Sequence, residues 1–389
     1  MHPVVRSYDE RPLLLFWEMT RACPLACAHC RAHAQHEPMP GELDHEESSR
    51  LLSDVVGFGQ PSPILVMTGG DPMARPDLFE LLAQAQKQGT HVALAPAVSP
   101  SLSGPALPRL RNLGINAVSI SLDGAIAETH EGIRRVPDHF RRTLETLHEL
   151  VTAGFTVQVN TTVMRRNVEE LADIAALLSK LGVHVWEVFF LVHVGRGTDV
   201  DEVSPAECED VAHFLYDAAS YGFIVRTVEG PFFRRVMKWR GEAEASIDAR
   251  ATFGLGDLYG RLSGRLRERL GAPKTHPRAT SAGTRDGNGI LFVAHDGAVT
   301  PAGFLPLELG NVRRENIVDI YRNHPTLQTI RRAEYEGRCG ICEYREVCGG
   351  SRSRAFAAFG NPLAEDPACA YVPKGATVAE RPRSLATVG

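Results

Sequence analysis

The chain points to an α/β fold: a partial (β/α)6 barrel of parallel strands, followed by a smaller C-terminal unit that carries clustered cysteines. Three observations carry this expectation. An apolar run, a loop and an amphipathic helix recur in that order from Leu13 to Tyr221. Several of the apolar runs are hydrophobic along their whole length, as in a parallel sheet covered on both faces. Of the eight cysteines, seven fall into one N-terminal and one C-terminal cluster.

Each element can be placed in turn. Strand candidates are Leu13–Glu18, Ile64–Thr68, Val92–Ala95, Ala117–Leu122, Thr156–Val163 and Val185–Val192. The helix candidates are Glu46–Val56, Pro76–Gln88, Gly104–Asn112, Asp138–Ala153, Val168–Leu181 and Pro205–Tyr221. Six such units fall short of the eight that close a full barrel. Chemistry in such a sheet collects at the carboxyl ends of the strands, and the first cysteine loop follows the first strand. From about Arg240 to Asn288 the chain is rich in Gly, Pro, Ser and Arg, with one helix candidate near Leu258–Leu270. This stretch reads as a partly mobile linker. Beyond it, Ile290–Ala294 and Ala298–Pro301 flank His295-Asp296-Gly297, a hairpin signal, and a helix is expected near Asn316–Tyr321. The expected divisions are 1–12 as an N-terminal extension, 13–226 as the barrel, 227–288 as the linker and 289–389 as the C-terminal unit.

Composition excludes several classes. With 389 residues and a net charge of −5, the chain has no general attraction for nucleic acid or an anionic membrane. The apolar stretch Pro12 to Trp17 is too short for a signal segment or a membrane span, so a cytoplasmic protein is expected. In that compartment clustered cysteines read as metal ligands rather than disulfides.

Cys23, Cys27 and Cys30 form a CxxxCxxC loop. Three thiolates at this spacing can hold three of the four irons of a cubane, and the open fourth iron can bind a ligand. A zinc knuckle is the competing reading, but structural zinc takes four ligands and no fourth is near. Gly69-Gly70-Asp71-Pro72 follows the second strand, and its glycines allow close backbone approach. Ser121 and Asp123 end the fourth strand, Asn160 and Thr162 the fifth, and His193–Arg196 with Gly195 follow the sixth. A Ser-x-Asp after a strand also reads as a turn or helix cap. Asn167 reads as a helix cap, His130 and Arg134 as structural, and Cys208 as an inert thiol.

These motifs together resemble the radical S-adenosylmethionine (SAM) superfamily. The resemblance implies that Cys23, Cys27 and Cys30 hold a 4Fe–4S cluster whose open iron chelates SAM. It implies further that Gly69, Gly70, Asp71 and Pro72 receive the methionine ammonium. Ser121 and Asp123 match the ribose contacts, Asn160 and Thr162 are further SAM contacts, His193 and Gly195 border the adenosine, and His29 packs on the adenine. One electron passed to SAM then releases a 5′-deoxyadenosyl radical that abstracts a hydrogen from substrate, with a flavodoxin- or ferredoxin-type protein as reductant.

The tail carries Cys339-x2-Cys342-x5-Cys348 and then Cys369. It is similar to the SPASM extension of many radical SAM enzymes, in which this set holds one auxiliary cluster. The second set of that extension is missing: Ala302 and Ser351 stand where cysteines are usual. The resemblance therefore implies one auxiliary 4Fe–4S cluster with no open iron; a four-cysteine zinc ribbon is the competing reading. Tail phrases such as Leu309-Gly310-Asn311-Val312-Arg313 look most like the branch holding haem d1 and alternative haem biosynthesis enzymes. That branch implies oxidation of a tetrapyrrole, with Arg352 and Arg354 pairing propionates or standing on a solvated loop. Peptide maturation is the alternative, although no winged-helix recognition segment is expected before Leu13. A non-enzymatic iron–sulfur carrier is a third reading, against which the Gly-Gly-Asp-Pro motif stands.

Overall fold

In the computed structural model the described residues are 8–376, except 103, 199–200 and 244–246. Seven parallel strands run β1 (Leu14–Glu18), β2 (Ile64–Thr68), β3 (Val92–Leu94), β4 (Ala117–Ser121), β5 (Thr156–Val163), β6 (Val185–Phe190) and β7 (Ile224–Val228), side by side in chain order. The helices between them are α1 (His45–Val56), α2 (Leu78–Lys87), α3 (Ala106–Asn112), α4 (Ala127–Arg134), α5 (His139–Thr152), α6 (Leu171–Leu181) and α7 (Pro205–Ala218). Reciprocal capping boxes, Asp44 with Glu47 and Ser204 with Glu207, start α1 and α7 where the sequence turns from loop to amphipathic run.

The strands are not apolar on both faces, contrary to the sequence expectation. Leu65, Met67, Val118, Ile120, Val157 and Val159 are buried on the outer face, under the helices. The alternating residues Thr68, Ser119, Ser121, Gln158, Asn160 and Thr162 are half-buried on the inner face. This two-residue period is what an incomplete barrel with a polar lumen requires. Strand β7 is a seventh strand beyond the six expected and runs across the expected boundary at 226; its pattern Ile-Val-Arg-Thr-Val puts Arg226 on the inner face, where the side chain meets Gln158 at 2.8 Å.

The chain continues through α8 (Phe233–Glu242), α9 (Ala249–Phe253) and α10 (Asp257–Leu270). The helix expected near Leu258–Leu270 forms as α10, and it packs against α6 and α7, so this part of the expected linker is held on the barrel. The Asp210 carboxylate accepts from the Gly256 and Tyr259 amides at 2.7 and 3.3 Å, capping the start of α10. Arg265 and Arg269 both pair with Asp173 on α6, at 2.6 and 2.7 Å.

The C-terminal part is joined to the barrel by the same sheet. After β8 (Arg285–Asp286), strand β9 (Gly289–Val293) pairs in parallel with β1, in the register Leu14 to Ile290. The expected hairpin forms: β9 turns at His295-Asp296-Gly297 into β10 (Ala298–Thr300), antiparallel, with Gly297 at φ 84°. Strand β11 (Gly310–Asn311) and helices α11 (Ile317–Asn323), α12 (Pro325–Arg331), α13 (Gly337–Gly340) and α14 (Arg352–Phe359) complete the described chain. The sheet order is β11-β10-β9-β1-β2-β3-β4-β5-β6-β7, so it stays open at β11 and β7. Residues 1–7 of the expected N-terminal extension and 377–389 of the expected C-terminal unit lie outside the described residues.

Leu262 on α10 is fully buried. Leu262→Ala should therefore destabilise the fold by about 2–5 kcal/mol in a denaturant titration, through lost burial and the cavity left behind. A change near zero would return this stretch to the status of a linker.

Candidate active site

The loop after β1 is irregular backbone, and neighbouring glycines hold it in place. The Gly70 and Asp71 amides donate to the Thr20 and Ala22 carbonyls, both at 2.7 Å. Gly69 has φ 145°, and a Cβ there would lie 2.5 Å from the Thr20 carbonyl oxygen; one on Gly70 would lie 2.4 Å from that of Ala22. From the other side Gly195, at φ 63°, presses on the Cys30 carbonyl, where a Cβ would come within 2.3 Å. Arg196 completes the clamp: its amide donates to the Cys30 carbonyl at 2.9 Å and its Nε to that of Cys27 at 2.8 Å. The Gly-Gly and Gly-Arg phrases thus position the cysteine loop.

A cavity of about 220 Å³ opens at this end of the barrel. Cys23, Cys27 and Cys30 line it together with His29, Gly69, Gly70, Ser121, Asn160 and Thr162, so nine expected site residues meet in one space. Five others do not line it. Asp71 turns away and caps the following turn: its carboxylate accepts from the Met73 and Ala97 amides at 3.1 and 3.2 Å and from the Ser99 hydroxyl at 2.9 Å. Pro72 opens that turn and is buried. Asp123 is spent on an ion pair with Arg134 and on the Thr162 amide at 2.8 Å. His193 lies 3.3 Å from Glu202, and Gly195 serves the loop contact just described. A carboxylate at a strand end is therefore taken up by the nearest donors here rather than offered to a ligand.

Arg134, read from the sequence as structural, lines the cavity and donates to Cys27 Sγ at 3.5 Å. Burial opposes its charge, but Asp123 and Cys27 beside it keep the guanidinium protonated. It ends the short helix α4, which lies outside the helices expected from the sequence, so no periodic pattern marks it as facing the cavity. Burial also holds the His29 imidazole neutral, down at about 4, although Asp123 lies 3.7 Å away. Burial pushes the Cys23 thiol up to about 12. A buried thiolate needs a compensating positive charge, which a metal centre provides.

On the β9 side, Glu18 at the end of β1 is buried between Arg31 and His295, at 3.2 and 3.1 Å. Burial disfavours its charge, yet Arg31 and His295 overcome this and hold the carboxyl down at about 2. This pairing ties the cysteine loop to the hairpin turn of the C-terminal part.

Cys339, Cys342, Cys348 and Cys369 line a second hollow, shared with Tyr344 and Tyr371. Amides of Tyr344 and Asp366 point at Cys342 Sγ and Cys339 Sγ, both at 3.4 Å. Gly350, at φ 63°, permits the approach, since a Cβ there would lie 3.0 Å from Cys339 Sγ. In both sites the sulfurs line a hollow: among the described residues no three His, Cys, Asp or Glu side chains close around a single metal ion.

Ser351, standing where a further cysteine is usual, caps α14 and donates its hydroxyl to Glu229. Ala302 is buried in the turn after β10. Arg352 and Arg354 are neither solvated nor open to a ligand. Arg352 donates to the Pro362 and Ala364 carbonyls at 3.0 and 2.7 Å, and Arg354 pairs with Asp366 at 2.9 Å and with the Glu229 carbonyl at 2.7 Å. Cys208 is buried on α7 and lines neither hollow.

The profile of the Radical SAM superfamily matches residues 17–178. An AdoMet-dependent heme synthase of Methanosarcina barkeri is 36% identical over 369 residues, spanning 94% of this chain and 99% of that protein. The chain belongs to the radical SAM superfamily. Like other radical SAM enzymes it uses SAM and a 4Fe–4S cluster. A mycofactocin maturase, MftC of Mycobacterium ulcerans, is 29% identical over 371 residues, covering 92% of this chain and 88% of that one. Streptococcus suis SuiB, solved bound to S-adenosylmethionine, shares the radical SAM fold with a TM-score of 0.67 at 14% identity, over 92% of this chain and 77% of that one. No helix among the described residues is long and apolar enough to cross a membrane.

Glu229 follows β7 at φ 55° and is buried. Burial, and then the neighbouring Asp286, push its carboxyl up to about 8 from the ordinary 4.5. The folded state therefore holds this proton more tightly than the unfolded chain, and its contribution to stability is lost as pH rises between these values. Glu229→Gln cannot ionise, so it should gain on the wild type by up to about 1.4 kcal/mol per pH unit as pH is raised from about 6 to about 8. Urea denaturation at both ends of that window measures this, and an unchanged difference would contradict the raised carboxyl.

Proposed function

We propose that this radical SAM enzyme oxidises the carboxylate-bearing side chains of a tetrapyrrole, as in decarboxylation of a propionate. The observation that carries the reading is the end-to-end match to the heme synthase, which leaves almost none of that protein uncovered. The maturase match, at lower identity, favours modification of a peptide as the second reading.

Cys23, Cys27 and Cys30 would hold the cluster, with Arg134 beside Cys27 offsetting the added negative charge. When bound, the cluster and SAM supply a reducing electron and a 5′-deoxyadenosyl radical for hydrogen abstraction. Ser121, Asn160 and Thr162 present hydroxyl and amide groups to the cavity for the ribose and adenine, and neutral His29 offers a ring face. Gly69 and Gly70 leave the backbone bare where the methionine end would approach. Asp71 acts one step back, by fixing the turn that carries those glycines. Cys339, Cys342, Cys348 and Cys369 would hold an auxiliary cluster with every iron ligated, suited to carrying an electron. A flavodoxin- or ferredoxin-type protein in the cytoplasm would be the electron donor.

Reduced protein given SAM and iron coproporphyrin should form 5′-deoxyadenosine above background and release carbon dioxide from the porphyrin. Stimulation by a precursor peptide instead would select the second reading. Cys27→Ala should abolish SAM cleavage, and retained turnover would refute it as a ligand. Cys348→Ala should lower iron by about one cluster per chain while the other remains; unchanged iron would remove the auxiliary site.

A further inference from the structure

Three residues of the cavity lining, Arg31, Phe189 and Phe304, take no part in the set expected to hold SAM. Phe189 is on the inner face of β6 and Phe304 comes from the turn after β10; their rings are 6.1 Å apart and tilted by 58°. Together they present an apolar aromatic surface from the barrel and the C-terminal part at once. Arg31 is held beside them in one orientation. Its guanidinium lies 4.4 Å over the Phe292 ring and donates from Nη1 to Glu18 at 3.2 Å. Gly303 presses close, since a Cβ there would sit 3.2 Å from Arg31 Nε.

Of the two arginines lining this cavity, Arg134 is committed to Asp123 and Cys27. Arg31 is not. Among the described residues Glu18 is the one hydrogen-bond partner of its guanidinium, and His295 holds the second Glu18 oxygen at 3.1 Å. A guanidinium has five donors in a planar fork matched to a carboxylate, so donors remain for a ligand.

We propose that Arg31 is the carboxylate-binding residue of the substrate chamber, seating an acidic side chain of a flat substrate that lies against Phe189 and Phe304. This rests on the tetrapyrrole reading above and adds to it the group that orients the reacting side chain. A guanidinium held in a partly dry site distinguishes a free carboxylate from its ester, because the ester carries no charge and cannot offer the two equivalent oxygens of a bidentate pair.

The test is a binding cycle on the cluster-loaded protein, with iron coproporphyrin and its tetramethyl ester as probes and porphyrin absorbance as the readout. The wild type should bind the acid about tenfold or more tighter than the ester. Arg31→Met, at wild-type iron content, should bind the two alike, and Arg31→Lys, which keeps the charge but loses the fork, should recover part of the preference. SAM affinity is measured in parallel by calorimetry. Acid and ester bound alike by the wild type, or a preference that survives in Arg31→Met, would overturn the assignment while leaving the tetrapyrrole reading in place. A fall in SAM affinity with the acid preference intact would assign Arg31 to the SAM carboxylate and also overturn it. Binding of neither probe would overturn the tetrapyrrole reading and this inference with it.

Discussion

Close backbone contact is the constraint on which the rest of the structure depends. Three sulfurs on an irregular loop can share a metal cluster only if that loop is held still, and no helix or strand does so here. Gly69 and Gly70 on one side and Gly195 on the other bring bare backbone against the loop's carbonyls, and Arg196 bonds across it. A methyl group at any of these glycines would occupy space already filled by an oxygen. The parallel sheet supplies the frame: β1 and β2 end in register, Glu18 opposite Thr68, so the loops that follow them converge.

The same frame links the two cysteine sites. Strand β9 adds to β1, and the Glu18–Arg31–His295 contact locks the hairpin turn to the first cysteine loop. Farther round, Arg354 donates to the Glu229 carbonyl and pairs with Asp366, whose own amide points at Cys339 Sγ. Glu229 in turn receives the Ser351 hydroxyl. Buried charges here are paired or hydrogen-bonded, as low dielectric demands, and they fix the C-terminal part against the barrel mouth.

Local pattern made much of this legible in the sequence. Short apolar runs gave β1 to β6, the His295-Asp296-Gly297 turn gave the hairpin, and cysteine spacing marked both hollows. What stayed hidden was non-local. Nothing in Gly289–Val293 announces pairing with Leu14–Glu18, hundreds of residues away. A strand-end position does not say which donor will claim a carboxylate, so Asp71 and Asp123 read as ligand contacts while their oxygens serve Ser99, Thr162 and Arg134. Arg352 and Arg354 read as surface because arginine usually is, yet both are buried by carbonyls and Asp366. In Arg240–Asn288 the sequence offered α10 near Leu258–Leu270 but not its packing on α6 and α7, which supplies its stability.

The central claim is that the N-terminal thiols hold a cluster with one iron open to SAM. Electron–nuclear double resonance on the reduced protein, with SAM carrying carbon-13 at its carboxylate, tests this directly. A resolved hyperfine coupling from that carbon to the cluster spin is the result expected. A cluster signal with no such coupling, under saturating SAM, would contradict it.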